Sequence, residues 1–201
     1  MIKIVKQNTK LDLLSILRET GAIMEGHFKL TSGFHSQYYL QCAKLLQYPE
    51  KTYKIVKEIP DIVGEVISDN TDTIISPAIG GILFGYMTAY AMGKKMIFAE
   101  RKTDKMELRR GFDIDEGEKI IIAEDVITTG GSVKEIIDIC NEKKAEIQAV
   151  VSIVNRSENV SFGDIPYFYL IKFDIEKYDP SDCPLCRNNI ELNYPGSKKN
   201  N

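Results

Sequence analysis

The sequence predicts an α/β protein whose core is a parallel sheet flanked by helices. Short β-branched apolar runs alternate with stretches of helical periodicity over the middle of the chain. Strands that alternate with helices of this length form right-handed βαβ units and therefore a parallel sheet. The chain has 201 residues, 43% of them hydrophobic, which suits one domain with a full core. The predicted strands are 73–76, 95–99, 119–123 and 149–154, and the predicted helices are 81–92 and 133–144.

The two ends of the chain carry local patterns of their own. Apolar residues at helical spacing predict a helix over 11–20, and an aromatic-rich segment with a Ser-Gly turn predicts a hairpin over 26–42. Residues 50–70 are predicted to be helical, divided by Pro60. A late strand at 167–171 is expected at a sheet edge. From about residue 176 onward Pro, Asp, Asn and Lys dominate, and we expect the last few residues to be disordered.

Composition and charge argue against several classes of protein. The net charge of −3 disfavours general binding of nucleic acid. No apolar run reaches the length that spans a membrane, so no membrane association is expected. The first ten residues lack the apolar stretch and cleavage site of a signal peptide, and we therefore expect a cytoplasmic location.

The segment 120–132, IIIAEDVITTGGS, carries the strongest functional signal. A buried strand ends in two carboxylates, and a Thr/Gly/Ser turn then opens a helix. Ligands bind at this edge of an open α/β sheet, where glycines let a phosphate approach the N–H groups of a helix N-terminus. The alternative is an ordinary turn with Ser132 as the helix cap. The residues predicted to bind the ligand are Glu124, Asp125, Val126, Ile127, Thr128, Thr129, Gly130, Gly131 and Ser132.

A second loop of this kind, SPAIGG, occupies residues 76–81. It also follows a predicted strand and opens a predicted helix. Gly80 and Gly81 permit a close approach of the backbone to a ligand. A tight turn with glycines that pack the helix explains them equally well when the loop is taken alone. A neighbouring loop with the same design favours the functional interpretation.

The segment 100–111, ERKTDKMELRRG, is a dense cluster of charge between two predicted strands. Basic residues at this density suit a mobile lid that closes over a polyanion and excludes water as it does so. A solvated hairpin loop is the alternative for any such run of charge.

These motifs resemble those of the type I phosphoribosyltransferases, and the orotate phosphoribosyltransferases in particular. The acidic pair followed by Thr-Thr-Gly-Gly-Ser resembles the ribose-5-phosphate loop of the first group. The basic segment resembles the flexible catalytic loop of the second, Arg-Lys-x-x-Lys-x-His. Arg101, Lys102 and Lys105 match that loop, and Glu107 stands where the family has histidine.

The predicted hairpin also resembles orotate phosphoribosyltransferases, over residues 26–39. Thr31 stands where many members have a lysine, and Tyr38 and Tyr39 match aromatic positions that stack on the pyrimidine. Packing within the hairpin is the alternative role for either tyrosine.

Arg156 ends the strand AVVSIVNR, and the family has Asp-Arg where this chain has Asn155 and Arg156. A guanidinium at this position can hold a planar carboxylate through two hydrogen bonds. Orotate carries such a carboxylate. The resemblance as a whole covers about residues 11–160 in the family's order.

The resemblance implies a type I phosphoribosyltransferase fold in a single domain, 1–201. A hood would comprise about 1–45 plus the C-terminal tail, and the core about 50–175. The implied reaction joins orotate to phosphoribosyl pyrophosphate and gives orotidine 5′-monophosphate and pyrophosphate, in pyrimidine synthesis. The implied cofactor is Mg²⁺ held mainly through the donor, with no direct protein ligand expected. The implied active unit is a homodimer whose loop lysine reaches into the partner's site.

The resemblance also assigns roles to the predicted residues. Glu124 and Asp125 would hold the ribose hydroxyls, and N–H groups of 128–132 would hold the 5′-phosphate. Arg156 would bind orotate, with Thr128 nearby. The predicted catalytic residues are Arg101, Lys102, Lys105 and Asp125. The loop residues predicted to hold the pyrophosphate are Ala78, Ile79 and Gly80.

Two alternatives share the phosphoribosyl pyrophosphate site. One is a phosphoribosyltransferase for another base such as a purine, from which Arg156 and the tyrosine hairpin would distinguish this chain. The other is a transcription regulator that binds phosphoribosyl pyrophosphate without turning it over. The acidic balance and the basic lid segment argue against a regulator.

The cysteines and histidines give a weaker signal. Cys183 and Cys186 have the spacing of zinc ligands, but no second pair follows them, and a structural zinc site needs four ligands. Similar tails occur in one branch of orotate phosphoribosyltransferases, which favours a branch marker over a redox centre. His27 and His35 lie in the predicted hairpin without a nucleophile, so a hydrolytic triad is unsupported.

Overall fold

The structure, a computed structural model, describes residues 3–195. A short 3₁₀ turn, Pro180–Asp182, precedes the last helix. In chain order the elements are β1 (Lys3–Gln7), α1 (Leu13–Glu19), β2 (Ile23–Lys29), β3 (His35–Leu40), α2 (Ala43–Leu46), α3 (Pro49–Val56), α4 (Ile59–Val63), α5 (Glu65–Asn70), β4 (Thr73–Pro77), α6 (Gly80–Met92), β5 (Lys95–Lys102), β6 (Lys105–Leu108), β7 (Lys119–Ile127), α7 (Gly131–Glu142), β8 (Glu146–Asn155), β9 (Tyr167–Asp174) and α8 (Pro184–Arg187).

The main sheet, within the described residues, has seven strands in the order β1-β9-β8-β7-β4-β5-β6. Its inner five strands run parallel, whereas β1 and β6 pair antiparallel at the two edges. The predicted α/β fold with a central parallel sheet is thereby confirmed. The central strands are buried on both faces, which explains the unbroken β-branched runs that predicted them.

Helices cover both faces of this sheet because successive side chains of β7 point in opposite directions. Ile121 and Ala123 pack into a hydrophobic core with Phe84 of α6 and with α1 to α5. Ile120 and Ile122 pack into a second core on the opposite face, against α7. No helix in the described part of the chain is long and apolar enough to cross a membrane.

Both edges of the sheet differ from the prediction. β9 is not an edge strand, because β1 pairs beyond it. Residues Lys3–Gln7 therefore belong to the main sheet and not to the hood in which the sequence analysis placed them. At the other edge, the predicted charged loop is an antiparallel hairpin in which Lys102 pairs with Lys105 across the turn. A polar edge strand lacks the apolar run by which buried strands are recognised.

The helical region before β4 consists of three short helices. Pro60 lies in the first turn of α4, where its missing N–H costs nothing, and α3 ends shortly before it at Val56, so the predicted division at Pro60 is confirmed. A second break, between α4 and α5, falls at Gly64, whose φ of 87° ends one helix before the next begins.

The hood combines the two ends of the chain. β2 and β3 pair with each other in a separate two-stranded sheet. The segment 176–195 lies along this hairpin: Tyr178 bridges to His35, and Asn193 bridges to Phe28. The hairpin and the C-terminal tail thus form one unit, as the resemblance implied. The disorder expected at the end of the chain concerns 196–201, outside the described residues.

Alanine substitutions at two glycines with positive φ distinguish the cost of backbone strain from the cost of steric clash. At Gly130 (φ +75°), a Cβ would lie 2.8 Å from Cγ2 of Val160 and 2.9 Å from Cε1 of Phe162, whereas at Gly117 (φ +78°) it would meet nothing within 4 Å. We expect Gly117→Ala to lower the free energy of unfolding by about 1 to 2 kcal/mol through left-handed strain. Gly130→Ala should lose about 1 to 3 kcal/mol more through overpacking. Urea unfolding measures both losses, and equal losses would contradict the packing around Gly130.

Candidate active site

The acidic pair lies where the C-terminal end of β7 meets the N-terminus of α6. Glu124 and Asp125 are half-buried. A Cβ on Gly80 would stand 3.1 Å from Oδ1 of Asp125, and a Cβ on Gly81 would stand 3.1 Å from Oε1 of Glu124. The glycines of the second loop are therefore needed for the close approach of α6 to the carboxylates. This geometry joins two loops that the sequence analysis treated as separate motifs.

Burial makes the negative charge of this pair unfavourable. It raises the pKa of Glu124 to about 9, and the neighbouring Asp125 carboxylate adds to the rise. Burial also raises the pKa of Asp125. Backbone N–H groups donate to both carboxylates: Asp125 N donates to Glu124 Oε1 (3.1 Å), and Val126 N donates to Asp125 Oδ1 (2.9 Å). A site of this kind favours a ligand that brings hydroxyl donors or a cation.

The Thr-Thr-Gly-Gly-Ser loop forms an open cavity at the start of α7. Gly130, in a left-handed conformation, is the N-cap residue and makes no side-chain capping bond. Ser132 lies inside the helix, so the alternative role of Ser132 as the cap is wrong. The first N–H groups of a helix have no partner within it, and here they and the positive end of the helix dipole face the cavity. The cavity measures about 210 Å³ and is lined by Arg101, Glu124, Val126, Ile127, Thr128, Thr129, Gly130, Gly131, Ser132, Val133 and Glu135.

A second cavity, of about 710 Å³, opens beside the first. Thr128 and Thr129 line both cavities, and Arg156 lines the second. The Arg156 N–H donates to the carbonyl of Ile127 (2.8 Å), which fixes the arginine next to the end of β7. Burial lowers the pKa of the Arg156 guanidinium. The predicted nearness of Thr128 and Arg156 is therefore present in the structure.

Tyr39 of β3 and Cys42, which follows this strand, lie near Arg156 of the second cavity. The fields of Tyr39 and of the buried Cys42 act on Arg156, and the Cys42 thiol points at the carbonyl of Asp125 (4.0 Å). Tyr38 lies on the opposite face of β3, where it packs on the core and its hydroxyl donates to Glu25 (3.3 Å). Since neighbours on a strand face opposite ways, Tyr39 is the tyrosine placed beside Arg156. The role of Tyr38 in binding a pyrimidine stays a prediction.

The basic hairpin β5–β6 brings one of its three predicted catalytic residues to the cavity. Arg101 lines the first cavity, at the start of α7, and forms an ion pair with Glu135 of the same helix. Lys102 and Lys105 are exposed at the turn, and neither has an ion-pair partner among the described residues. They remain predicted catalytic residues that stand outside the cavity of their own chain.

The base of the same hairpin is held by ion pairs. Arg110 binds Glu100 through two hydrogen bonds of 2.9 and 3.1 Å, and Arg109 approaches the same carboxylate to 3.6 Å. Both arginines therefore hold the base of the hairpin together. Glu107, which replaces the family's histidine, lies opposite Glu100.

Several site residues have no signal in the sequence alone. Cys42 reaches the site because the hood folds over the sheet, and residues 173–177 form a wall of the second cavity because β9 ends there. The two hairpin histidines lie beside the cysteine pair of the tail, 156 positions away for His27 and Cys183. Contacts between such distant segments require the fold to be known.

Comparison with known proteins identifies the chain. A model of the phosphoribosyl transferase domain matches residues 47–177, which include both glycine loops, the acidic pair and Arg156. The fold and the site therefore define a phosphoribosyltransferase. An orotate phosphoribosyltransferase from Chlorobium phaeobacteroides (strain BS1) is 47% identical over 186 residues, which are 92% of this chain and 95% of the relative. The chain belongs to the orotate phosphoribosyltransferase family.

Solved structures share the fold at low identity. A crystal structure of orotate phosphoribosyltransferase from Aeropyrum pernix has a TM-score of 0.65 at 20% identity, covering 79% of this chain and 93% of that one. An adenine phosphoribosyltransferase from Thermoanaerobacter pseudethanolicus has a TM-score of 0.57 at 15% identity, covering 68% and 88%. The fold alone therefore does not select the base.

Because the pKa of Glu124 is raised, we expect the free energy of unfolding to depend on pH. In the unfolded chain this carboxyl ionises near pH 4.5, and in the folded chain near pH 9. The folded state therefore holds more protons between these values, and its stability falls as the pH rises through this window. Glu124→Gln removes the ionisable carboxyl and with it this pH-dependent cost. The substitution should therefore raise the free energy of unfolding at pH 8 by about 1 to 3 kcal/mol and leave it almost unchanged at pH 4.

The control for this prediction is Glu142→Gln, which removes an exposed carboxylate on α7. Urea unfolding of both variants and of the unmodified protein from pH 4 to pH 9 gives the comparison. A gain for Glu124→Gln that does not grow with pH would contradict the buried, protonated state of the pair.

Proposed function

We propose that this chain transfers the 5-phosphoribosyl group from phosphoribosyl pyrophosphate to orotate, giving orotidine 5′-monophosphate and pyrophosphate for UMP synthesis. One observation carries the proposal. A cavity at the glycine-rich start of α7 beside the half-buried acidic pair, and a larger cavity lined by the half-buried Arg156, meet at Thr128 and Thr129. The first suits a ribose phosphate, and the second suits an anionic planar base.

The donor would be held by rigid parts of the core. The 5′-phosphate would accept hydrogen bonds from N–H groups of residues 128–132, at the positive end of α7. The ribose hydroxyls would donate to Glu124 and Asp125, which relieves the unfavourable burial of these carboxylates. The pyrophosphate would lie along Ala78, Ile79 and Gly80, where α6 begins beside the acidic pair. Each of these contacts fixes the anomeric carbon between the two cavities.

Orotate would occupy the second cavity with its carboxylate on Arg156. A guanidinium lowered in pKa by burial is poorly hydrated, so a two-pronged bond to a carboxylate gains more there than at an exposed site. Tyr39 stands next to Arg156 and would limit the cavity on the hood side. The ring nitrogen of orotate would then form its bond to the anomeric carbon as the bond from that carbon to the pyrophosphate oxygen breaks. An adenine ring offers no carboxylate to this arginine.

The residues of the site fit Mg²⁺ as a companion of the donor. Glu124 and Asp125 are oxygen donors whose charges are buried together, so a nearby divalent cation would lower the cost of their ionisation. When bound, Mg²⁺ would neutralise charge on the leaving pyrophosphate. The carboxylates would orient the ribose, and they would reach the ion chiefly through the hydroxyls that they hold.

We further propose a homodimer in which the basic hairpin serves the partner's site. Lys102 and Lys105 lie outside the cavity of their own chain, which supports a role elsewhere. A stripe of exposed apolar side chains also runs along α6, at helical spacing, where a second copy would cover it. These side chains are Ile79, Leu83, Tyr86 and Tyr90. The expected cytoplasmic location stays a prediction from the sequence.

Loss of orotate absorbance in the presence of phosphoribosyl pyrophosphate tests the proposed function. We expect turnover that requires Mg²⁺ and is absent with adenine. Arg156→Lys keeps the charge but loses the two-pronged bond, so the KM for orotate should rise about 10-fold to 100-fold. The KM for phosphoribosyl pyrophosphate should stay within about twofold, since that donor binds the other cavity.

The matched control is Arg18→Lys, a change on the exposed face of α1. It should leave both KM values unchanged. The proposal fails if orotate is not consumed although phosphoribosyl pyrophosphate binds, or if Arg156→Lys weakens both substrates equally.

Lys105→Ala tests the role of the basic hairpin. We expect kcat to fall by about two to three orders of magnitude, because a cation that neutralises the leaving group acts in the transition state, while the melting temperature stays the same. Mixing Lys105→Ala with Asp125→Asn protein should restore part of the activity, since a mixed dimer contains one intact site. A near-normal rate for Lys105→Ala would remove the lysine from the catalytic set, and a failure to recover activity after subunit exchange would contradict the shared site.

A further inference from the structure

The hood contains a compact group of four potential metal ligands outside the candidate active site. His27 of β2 and His35 of β3 come from the hairpin, and Cys183 and Cys186 come from the C-terminal tail. Their ligand atoms all lie within 4.8 Å of one another. His27 and Cys183 are each 1% exposed, and His35 is 5% exposed. The fourth member, Cys186, is exposed, so the group lies just below the surface.

The separations match those of a tetrahedral zinc site. With bonds of about 2.3 Å to sulfur and about 2.0 Å to nitrogen, tetrahedral ligands stand about 3.3 to 3.8 Å apart. Sγ of Cys183 and Sγ of Cys186 lie 3.6 and 3.7 Å from Nε2 of His27. Sγ of Cys186 lies 3.4 Å from Nδ1 of His35, and the two histidine nitrogens are 2.9 Å apart. Three of these four distances fall within the tetrahedral range, and binding of an ion would require the two histidine nitrogens to move slightly apart.

The surroundings of His27 orient it for this role. Its Nδ1 lies 2.8 Å from the carbonyl of Ile190, to which it can donate only as N–H. Nε2 of the neutral ring then carries the lone pair, and this nitrogen faces the other three ligands. Such a hydrogen bond on the far nitrogen is the usual support of a metal-bound histidine. Two thiolates would balance the charge of Zn²⁺, and soft sulfur with imidazole favours zinc over magnesium.

We propose that His27, His35, Cys183 and Cys186 bind one structural Zn²⁺ ion. Four protein ligands close the coordination sphere, so the ion has no open position for catalysis. Each thiol loses its proton when its sulfur binds the ion, and no electron transfer is involved. The cysteine pair is thus half of a site whose other half is the pair of hairpin histidines.

The zinc site would join the two ends of the chain into one hood. A two-stranded hairpin is marginally stable by itself, and within residues 3–195 β2–β3 is joined by no third strand, only by isolated bridges to the tail. The backbone already ties the segments at two points: His35 and Tyr178 exchange hydrogen bonds of 2.9 and 2.8 Å, and Asn193 N donates to the carbonyl of His27 (2.7 Å). The ion would add a third connection between the hairpin and the tail, between these two backbone contacts.

Because the hood lies beside the second cavity, the proposed zinc site would also affect this cavity. The hairpin carries Tyr39 and Cys42 toward Arg156, and the tail begins where residues 174–177 line the same cavity. Loss of the ion would release both segments together. The core sheet and the phosphate loop, which contain none of the four ligands, would keep their structure.

The test begins with the metal content of the purified full-length chain, prepared with a reductant that does not chelate. We expect one zinc ion per chain by elemental analysis. Cobalt exchanged into the site should show the strong visible absorption of tetrahedral thiolate coordination. Removal of zinc with a chelator should lower the melting temperature by about 5 to 15 °C. Zn²⁺ should restore the melting temperature, and Mg²⁺ should not.

Variants then assign the site to these residues. Cys183→Ser with Cys186→Ser should abolish zinc binding, whereas the control Cys140→Ser, on the buried face of α7, should keep one ion per chain. If the double variant does not fold, the single variant His35→Ala, with a cobalt spectrum shifted from that of the unmodified protein, replaces it. The proposal is overturned if reduced protein supplied with zinc holds less than about a tenth of an ion per chain, or if the double variant retains its zinc.

None of these measurements depends on catalysis. Zinc content, the cobalt spectrum and the melting temperature would stand even if orotate were not the substrate. Conversely, an active enzyme that binds no zinc when it is reduced and supplied with zinc would overturn the zinc site and leave the proposed function intact.

Discussion

The burial of two adjacent carboxylates at the end of the central strand β7 is the constraint on which the site depends. Their charge is unfavourable until a ligand compensates it, as the raised pKa of Glu124 to about 9 shows. The same position favours glycine at 80 and 81, because a Cβ there would stand 3.1 Å from a carboxylate oxygen and force it to shift. The N-termini of α6 and α7 converge on this point and partly offset the charge. This cost would be recovered if ribose hydroxyls and a cation bound there as proposed, so ligand binding and ionisation of the pair would favour one another.

The two sides of the site come from different parts of the chain, one from the core sheet and the other largely from the hood. The donor side is built from strand ends and helix starts within the parallel sheet, where each position follows from the neighbouring register. The base side is enclosed by β3 and by the segment after β9, which come from opposite ends of the sequence. Ordering such ends costs conformational entropy that the short hairpin cannot recover by its own packing. A metal ion shared between them would supply the missing stabilisation.

The sequence alone predicted the parallel core and the phosphate loops because both depend on local patterns. Buried strands such as β7 are continuous apolar runs, and the glycines of 80–81 and 130–131 mark loops wherever they occur. The edge strands were missed because β1 and β6 are short and largely polar. Period-two alternation allows only one tyrosine of β3 to face Arg156, but choosing Tyr39 requires the position of the hood. The pairing of His27 with Cys183 spans 156 positions and has no local signature.

Selection of the base must then come from outside the shared fold. A phosphoribosyltransferase for adenine superposes on this chain with a TM-score of 0.57, so the sheet and the donor loops serve more than one base. Arg156 stands at the boundary, at the end of a core strand but beside Tyr39 and Cys42 of the hood. In the proposed complex its guanidinium would discriminate between bases only while the hood keeps bulk water away, because a hydrated arginine gains little from a carboxylate. The integrity of the hood would therefore be part of substrate selection.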